Sequence, residues 1–145
     1  MASSGPEANQ TIVTFNSTAF NHTERKSYFI NDCCFGEDVA RWMIAELTKQ
    51  GVRTIGDADQ EDFGWYLTFE IGRSKYFFLT SYRADDISVG ATWIGFIERV
   101  CSPLGRIFGR QNHNISPEAP QAIHRVLARS PEIHEMQWYG RNDPY

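Results

Sequence analysis

Residues 63–71 read Phe63-Gly64-Trp65-Tyr66-Leu67-Thr68-Phe69-Glu70-Ile71, and large apolar residues occupy alternate positions of this stretch. Successive side chains of a β-strand point to opposite faces of the sheet, so a repeat of two residues predicts a strand with one buried face. The buried face is expected to carry the apolar set Phe63, Trp65, Leu67, Phe69 and Ile71. The outward face is expected to carry Gly64, Tyr66, Thr68 and Glu70.

This strand is predicted to continue into a β-hairpin. Gly72-Arg73-Ser74 has the composition of a turn, and residues 75–82 return as a strand rich in Tyr and Phe. After a polar loop, residues 92–100 predict the third strand of an antiparallel meander. Further strands are predicted over residues 11–15 and 132–139, and residues 28–30 have strand-forming composition as well.

Two amphipathic helices are predicted, one before and one after the meander. Apolar residues recur at helical spacing from Val39 to Leu47 within residues 37–50. Gly51 is placed to end this helix in a left-handed conformation. The second helix is predicted to begin at Ser116-Pro117-Glu118, which supplies a cap, a first-turn proline and an acid, and to end at Ser130.

The elements follow one another in the order β-α-β-β-β-α-β. This order predicts an α+β fold, a two-layer sandwich in which two helices cover one face of a mainly antiparallel sheet. The chain has 145 residues, a length that suits one domain. We expect that domain to span residues 11–145, after a disordered tail at residues 1–10, which are small and polar and have no periodicity.

The charge distribution argues against nucleic acid as a partner. Residues 1–98 hold 14 acids against 8 Lys or Arg, and residues 99–145 hold 4 acids against 6 Arg, so the two parts carry −6 and +2. Binding to phosphate backbones needs a broad cationic surface.

The sequence has no apolar run of the roughly 18 residues that a membrane span needs. Three cysteines that make no disulfide framework, and an N-terminus unlike a secretory signal, predict a cytoplasmic protein.

Four acids cluster just before the strand predicted at residues 63–71: Asp57, Asp59, Glu61 and Asp62. A calcium loop that began at Asp57 would need glycine at its sixth position and a carboxylate at its twelfth, where this sequence has Asp62 and Thr68. We therefore expect a solvated connecting loop, with no metal site and no cofactor.

An enzymatic alternative rests on Cys34. Cys33 and Cys34 precede the first predicted helix, whose N-terminal dipole favours a thiolate and hence a nucleophile. A catalytic thiol needs a base, for which His124 and His134 are candidates. Neither histidine has the sequence context of a known catalytic family, and a small buried side chain is the more usual fate of Cys.

A second alternative is an anion-binding sensor in the basic C-terminal part. The segment Leu104-Gly105-Arg106-Ile107-Phe108-Gly109-Arg110 repeats Gly-Arg at a spacing of four. Together with Arg99, the side chains of Arg106 and Arg110 could hold a carboxylate or a phosphate, since Arg presents paired donors. The segment is neither a Walker sequence nor a dinucleotide fingerprint, and a loop with solvated arginines is the simpler interpretation.

The preferred hypothesis is a non-catalytic protein-binding module that acts through the sheet face left uncovered by the helices. The residues expected to form its binding surface are Tyr66, Thr68, Glu70, Trp93 and Asp62. Aromatic side chains interleaved with charges are typical of binding hot spots. The acidic surface would attract a basic protein. The sequence leaves the oligomeric state open, with a homodimer among the options.

Three segments resemble a family of small uncharacterised bacterial α/β proteins: Gln60-Glu61-Asp62-Phe63-Gly64-Trp65-Tyr66, Trp93-Ile94-Gly95-Phe96-Ile97-Glu98 and Ser116-Pro117-Glu118-Ala119. The resemblance covers about residues 28–139 and implies no activity. At the level of the fold, the compact acidic plan is similar to bacterial immunity proteins, which neutralise toxins by binding them. That similarity implies an immunity or accessory role, although a shared fold does not establish a shared function.

Overall fold

The computed structural model describes residues 5–24, 26–29, 35–62, 64–83, 92–100 and 115–143. Its elements are, in chain order, β1 (Gln10–Asn16), α1 (Glu37–Lys49), β2 (Arg53–Glu61), β3 (Gly64–Ile71), β4 (Ser74–Arg83), β5 (Thr92–Arg99), α2 (Glu118–Arg129) and β6 (His134–Gly140). The six strands form one sheet in the order β2-β3-β4-β5-β1-β6, and neighbouring strands are antiparallel. The predicted α+β sandwich is confirmed.

The helices cover the face of the sheet that the alternation in residues 63–71 predicted. Trp65, Leu67 and Phe69 are at most 3% exposed and belong to the main core. Met43 of α1 and Ile123 of α2 complete that core, and neither has any exposed surface. A fully buried side chain of this size contributes roughly 1.5–3 kcal/mol, so this layer supplies most of the driving force for folding.

The end of α1 also follows the sequence prediction. The helix ends at Lys49, and Gly51 takes the left-handed conformation with φ of +82°. This conformation turns the chain so that the N–H of Val52 donates to the carbonyl of Leu47 at 3.0 Å. The chain can then enter β2 at Arg53 directly after the helix.

Strand β2 is a correction to the sequence prediction, which had three strands between the helices where the structure has four. Asp57, Asp59 and Glu61 lie on this strand, and Asp62 follows it, so these acids do not form the expected connecting loop. The strand was missed because it lies at the edge of the sheet, where few apolar residues are needed, and because a bulge interrupts its alternation.

The residues before β1 contact the domain. Pro6 is buried, and its carbonyl accepts a hydrogen bond from Nε2 of Gln121 on α2 at 3.1 Å. Strand β1 begins at Gln10, one residue before the predicted start. Pro6 of the expected tail is thus held against α2, residues 7–9 are exposed, and residues 1–4 lie outside the described ranges.

Candidate functional site

The bulge in β2 determines which side chains the edge of the sheet presents. Ile55 pairs with Thr68 and Asp59 pairs with Tyr66, so residues 56–58 stand opposite Leu67 alone. Gly56 permits the bulge because its φ of +72° lies in the left-handed region. The extra residues bring Asp57 to α1, where both of its carboxylate oxygens accept hydrogen bonds from Nη1 of Arg41 at 2.7 Å.

Glu37, in the first turn of α1, connects this ion pair to an aromatic side chain. Its Oε2 accepts a hydrogen bond from Nε of Arg41 at 3.1 Å, and its Oε1 accepts one from the hydroxyl of Tyr28 at 2.5 Å. Glu37 is only 8% exposed. A buried carboxylate is costly unless it is hydrogen-bonded, and here a guanidinium and a hydroxyl satisfy its oxygens.

These contacts raise the pKa of Arg41 and shift the pKa values of Asp57 and Tyr28. The hydrogen bonds from Arg41 hold the pKa of Asp57 below its ordinary value. The Glu37 carboxylate accepts a hydrogen bond from the Tyr28 hydroxyl and raises the pKa of Tyr28 above its ordinary value. Asp57 therefore stays ionised and Tyr28 stays protonated across the neutral range.

Tyr28 is held from several sides and still faces solvent. Within the described ranges it is the one large hydrophobic residue that is exposed, with 53% of its surface open to solvent. Its ring lies edge-on to Phe29 and Trp65, with centroids 5.5 Å and 6.3 Å away. Its carbonyl accepts a hydrogen bond from Nε2 of Gln60 on β2 at 2.8 Å. The ring is thus an exposed aromatic group in a fixed place.

Strand β2, at the edge of the sheet beside Tyr28, is rich in acids: Asp57 lies on the helix side against Arg41, and Asp59 lies beside Tyr66 on the other face. We use the term β2 edge surface for the exposed residues Tyr28, Arg41, Asp57, Asp59 and Asp62. This set contains three carboxylates and one guanidinium, and the guanidinium is paired with Asp57 and Glu37. The surface therefore combines one exposed aromatic ring with more acidic than basic side chains.

The sequence prediction placed the aromatic part of the binding surface elsewhere, and Trp93 is the clearest correction. Trp93 pairs with Phe15 and Tyr82 on the helix-covered face, and it has no exposed surface. Tyr66, Thr68 and Glu70 do lie on the other face, beside Ile55 and Asp59 of β2. Trp93 therefore cannot share a surface with them.

Tyr66 lies on the predicted face but is buried. It is 6% exposed and forms a second, smaller apolar cluster with Phe77 and Leu79, against which Phe96 and Val100 pack. Thr68 and Glu70 are partly exposed, and Oε1 of Glu70 lies 3.7 Å from Nη1 of Arg53. The middle of this sheet face is therefore apolar and inaccessible, and only its margin resembles the expected surface.

A substitution at Tyr66 distinguishes a core residue from a binding residue. We expect Tyr66→Ala to lower the free energy of unfolding by about 3 kcal/mol, because truncating a buried aromatic ring leaves a cavity. Thr68→Ala, two residues along the same strand and partly exposed, is the matched control and should change stability by less than about 0.5 kcal/mol. Urea unfolding measures both, and equal midpoints for the two variants would contradict the burial of Tyr66.

The candidates for the enzymatic alternative do not come together in the described residues. Cys34 lies outside the described ranges. His124 is buried on α2, and its Nδ1 accepts a hydrogen bond from Nε1 of Trp138 at 3.1 Å, so this nitrogen serves packing between α2 and β6. His134 is exposed at the start of β6. Cysteine-dependent catalysis stays a prediction.

The anion-binding alternative likewise stays a prediction. Arg99 is partly buried at the end of β5, where it pairs with Tyr76. Arg106 and Arg110 lie outside the described ranges. The structure therefore places one of the three arginines and leaves their common site untested.

A groove of about 730 Å³ opens where β1 begins and β6 ends. Its wall mixes acids such as Glu7 and Asp143 with apolar residues such as Ile12 and Ile115. The described part of the wall contains neither Cys nor His, so it offers no pair of nucleophile and base. Across the described residues, no three His, Cys, Asp or Glu side chains come together in an arrangement that could hold a metal ion.

Sequence reasoning missed Tyr28 and Arg41. Residues 28–30 looked like a strand, but Tyr28 lies in a turn and Phe29 in no regular element. The available signal was the spacing of Glu37 and Arg41, which are four residues apart on a helix and so face each other. That spacing predicts an ion pair, although not the tyrosine and the aspartate that join it.

No helix within the described ranges is long and apolar enough to cross a membrane. The resemblance to small bacterial proteins stays a prediction. The chain matches no protein-family model, no curated protein and no solved structure.

Proposed function

We propose that this chain is a non-catalytic, cytoplasmic protein-binding module that captures a basic protein through the β2 edge surface, in an immunity or accessory role. The observation that carries the proposal is Tyr28. Its ring is 53% exposed, while hydrogen bonds to Glu37 and Gln60 fix its position at the margin of an acidic strand.

An aromatic side chain that is already ordered is a favourable anchor for a partner. Tyr is enriched among the residues that contribute most to binding, because it combines a large apolar area with a polar tip. Binding usually has to order the side chains of the interface, which opposes association. The contacts of Tyr28 with Glu37, Phe29 and Trp65 reduce that cost in advance.

The charge of the surface supports a basic partner. Asp59 and Asp62 are exposed, and Asp57 keeps 68% of its side chain accessible despite its pairing with Arg41. Complementary charge accelerates encounter and disfavours acidic competitors. Such attraction weakens as salt rises, because the Debye length shrinks to about 3 Å at 1 M.

The partner is expected to contact side chains rather than to add a strand. Charged residues and bulges are the features that prevent the edge strand of a sheet from pairing with another chain. Strand β2 has both, with Gly56 at the bulge and Asp59 exposed beside it. Hence the recognition is ascribed to the side chains around Tyr28.

The proposal is tested by comparing two variants of an affinity-tagged chain as bait in cells. The edge variant combines Tyr28→Ala with Asp59→Lys. The control combines Tyr139→Ala on β6 with Glu132→Lys just before it, which makes equivalent changes at the opposite edge of the sheet. We expect the wild-type chain and the control to capture the same basic protein, and the edge variant to capture about tenfold less of it, as loss of about 1.4 kcal/mol implies.

Binding of the purified partner is then measured by calorimetry at low and high salt. The proposal predicts an affinity that falls with salt for the wild-type chain and a smaller salt dependence for the edge variant. Capture of the same proteins in equal amounts by both variants, or an acidic partner, would contradict it.

A further inference from the structure

We infer that Glu37 is the positioning residue of the β2 edge surface, because its two carboxylate oxygens hold the Tyr28 ring and the Arg41–Asp57 pair in one fixed arrangement. The inference rests on the proposed function, since it identifies what keeps that same surface in shape. Glu37 is buried, so it is assigned no contact with the partner.

Glu37 is a buried residue that lies between the exposed side chains of Tyr28 and Arg41. Oε1 of Glu37 accepts from the Tyr28 hydroxyl at 2.5 Å, and Oε2 accepts from Nε of Arg41 at 3.1 Å. Arg41 in turn donates to Asp57 at 2.7 Å. The exposed fraction of the side chain rises from 10% at Glu37 to 48% at Arg41 and 68% at Asp57.

Three separate parts of the chain are joined through Glu37 and Arg41. Tyr28 comes from the segment between β1 and α1, Glu37 and Arg41 from α1, and Asp57 from the bulge of β2. An exposed ion pair such as Arg41–Asp57 contributes little by itself. Its attachment to a buried carboxylate is what makes the ring and the acidic bulge one rigid unit.

Loss of the Glu37 charge should therefore weaken binding without removing any contact to the partner. In Glu37→Gln the side chain keeps its shape but loses its negative charge. Its attraction for Arg41 and the strength of its hydrogen bond from the Tyr28 hydroxyl are therefore reduced. The partner would then have to order Tyr28 and Arg41 on binding, which we expect to weaken the affinity about tenfold.

Titration of Tyr28 reports on the same contact in the free protein. The charged groups that act on the hydroxyl are Glu37, Asp38 and Arg41, and the hydrogen bond to Glu37 is the main cause of the raised pKa. Because the folded-state pKa is raised, this contact stabilises the fold fully below the unfolded value of about 10 and is lost as pH rises through the folded value. Glu37→Gln should shift the titration of Tyr28 to lower pH.

The titration is read from tyrosinate absorbance, with Tyr28→Phe subtracted in each background to isolate the one hydroxyl. An unchanged Tyr28 titration in Glu37→Gln would overturn the assignment of Glu37, whatever the partner. A shift to lower pH supports it. If Glu37→Gln does not fold, Tyr28→Phe itself carries the binding test, because it removes the hydroxyl contact and keeps both the ring and Glu37.

Affinity for the partner distinguishes a failure of the positioning role of Glu37 from a failure of the proposed function. If the edge variant loses the partner and Glu37→Gln or Tyr28→Phe loses about tenfold in affinity, both stand. If the edge variant loses the partner while these two bind as well as the wild-type chain, the positioning role is wrong and the proposed function survives. If the edge variant binds normally, the proposed function fails first. Tyr139→Phe, on the opposite edge, is the matched control for Tyr28→Phe and should bind normally.

Discussion

Trp93→Ala is expected to lower the free energy of unfolding by about 3–5 kcal/mol, as truncation of a fully buried aromatic residue does. The side chain has no exposed surface, and its ring lies 6.0 Å from that of Phe20 and 5.4 Å from that of Tyr82. Its Nε1 donates to the carbonyl of Ser17 at 3.4 Å. The loss would open a cavity between β5 and the segment that follows β1.

Two comparisons make this result specific. Trp93→Phe keeps a ring in the site and should lose less stability than Trp93→Ala, because it leaves a smaller cavity and removes only one hydrogen bond. Tyr28→Ala truncates a half-exposed ring and removes its hydrogen bond to Glu37, so it should cost some stability but clearly less than Trp93→Ala. A Trp93→Ala protein with wild-type stability and reduced partner binding would place Trp93 on the interaction surface, as the sequence had predicted.

The difference between Trp93 and the residues of β3 shows where sequence periodicity is sufficient. In β3, apolar and polar residues alternate, so the buried face of Trp65, Leu67 and Phe69 could be predicted without knowing the neighbouring strands. In β5, apolar residues stand at positions 93, 94, 96 and 97, on both faces. Periodicity cannot assign a face in such a strand, and only the pairing with Tyr82 does so.

The burial of Tyr66 could have been predicted from the sequence of the neighbouring strand. Residues 76–79 of β4 read Tyr-Phe-Phe-Leu, an uninterrupted apolar run. Such runs are typical of strands whose two faces are both buried. Phe77 and Leu79 accordingly form the second cluster with Tyr66, while Tyr76 and Phe78 belong to the main core.

The candidate site was predictable in chemistry but not in position. An acidic and aromatic surface that included Asp62 was expected, and Asp62 is exposed. The aromatic member, Tyr28, is held at the edge of the sheet by a carboxylate that lies nine residues away and by Gln60 of a strand that the sequence had not predicted. Contacts of this kind depend on tertiary structure, which local patterns do not contain.

Gly95→Ala should also be strongly destabilising, by about 2 kcal/mol, because β5 has no room for a side chain at this position. Gly95 is buried opposite Thr80 and Val13. A Cβ atom there would lie 2.5 Å from two ring atoms of Phe78 and 3.3 Å from Cγ1 of Val13. Phe78 has no exposed surface, so its ring cannot move aside without disturbing the core under the helices.

A double-mutant cycle with Phe78→Leu tests this cause. Phe78→Leu alone should destabilise the fold by leaving a cavity above Gly95, and in the double variant the new methyl group would occupy part of that space. The two changes together should therefore cost less than their sum, with a coupling of about 0.5–3 kcal/mol measured by urea unfolding. Additive losses would mean that the ring of Phe78 does not lie over Gly95. The register of β4 and β5, which assigns Trp93 to the core and so leaves the aromatic role at the surface to Tyr28, would then need revision.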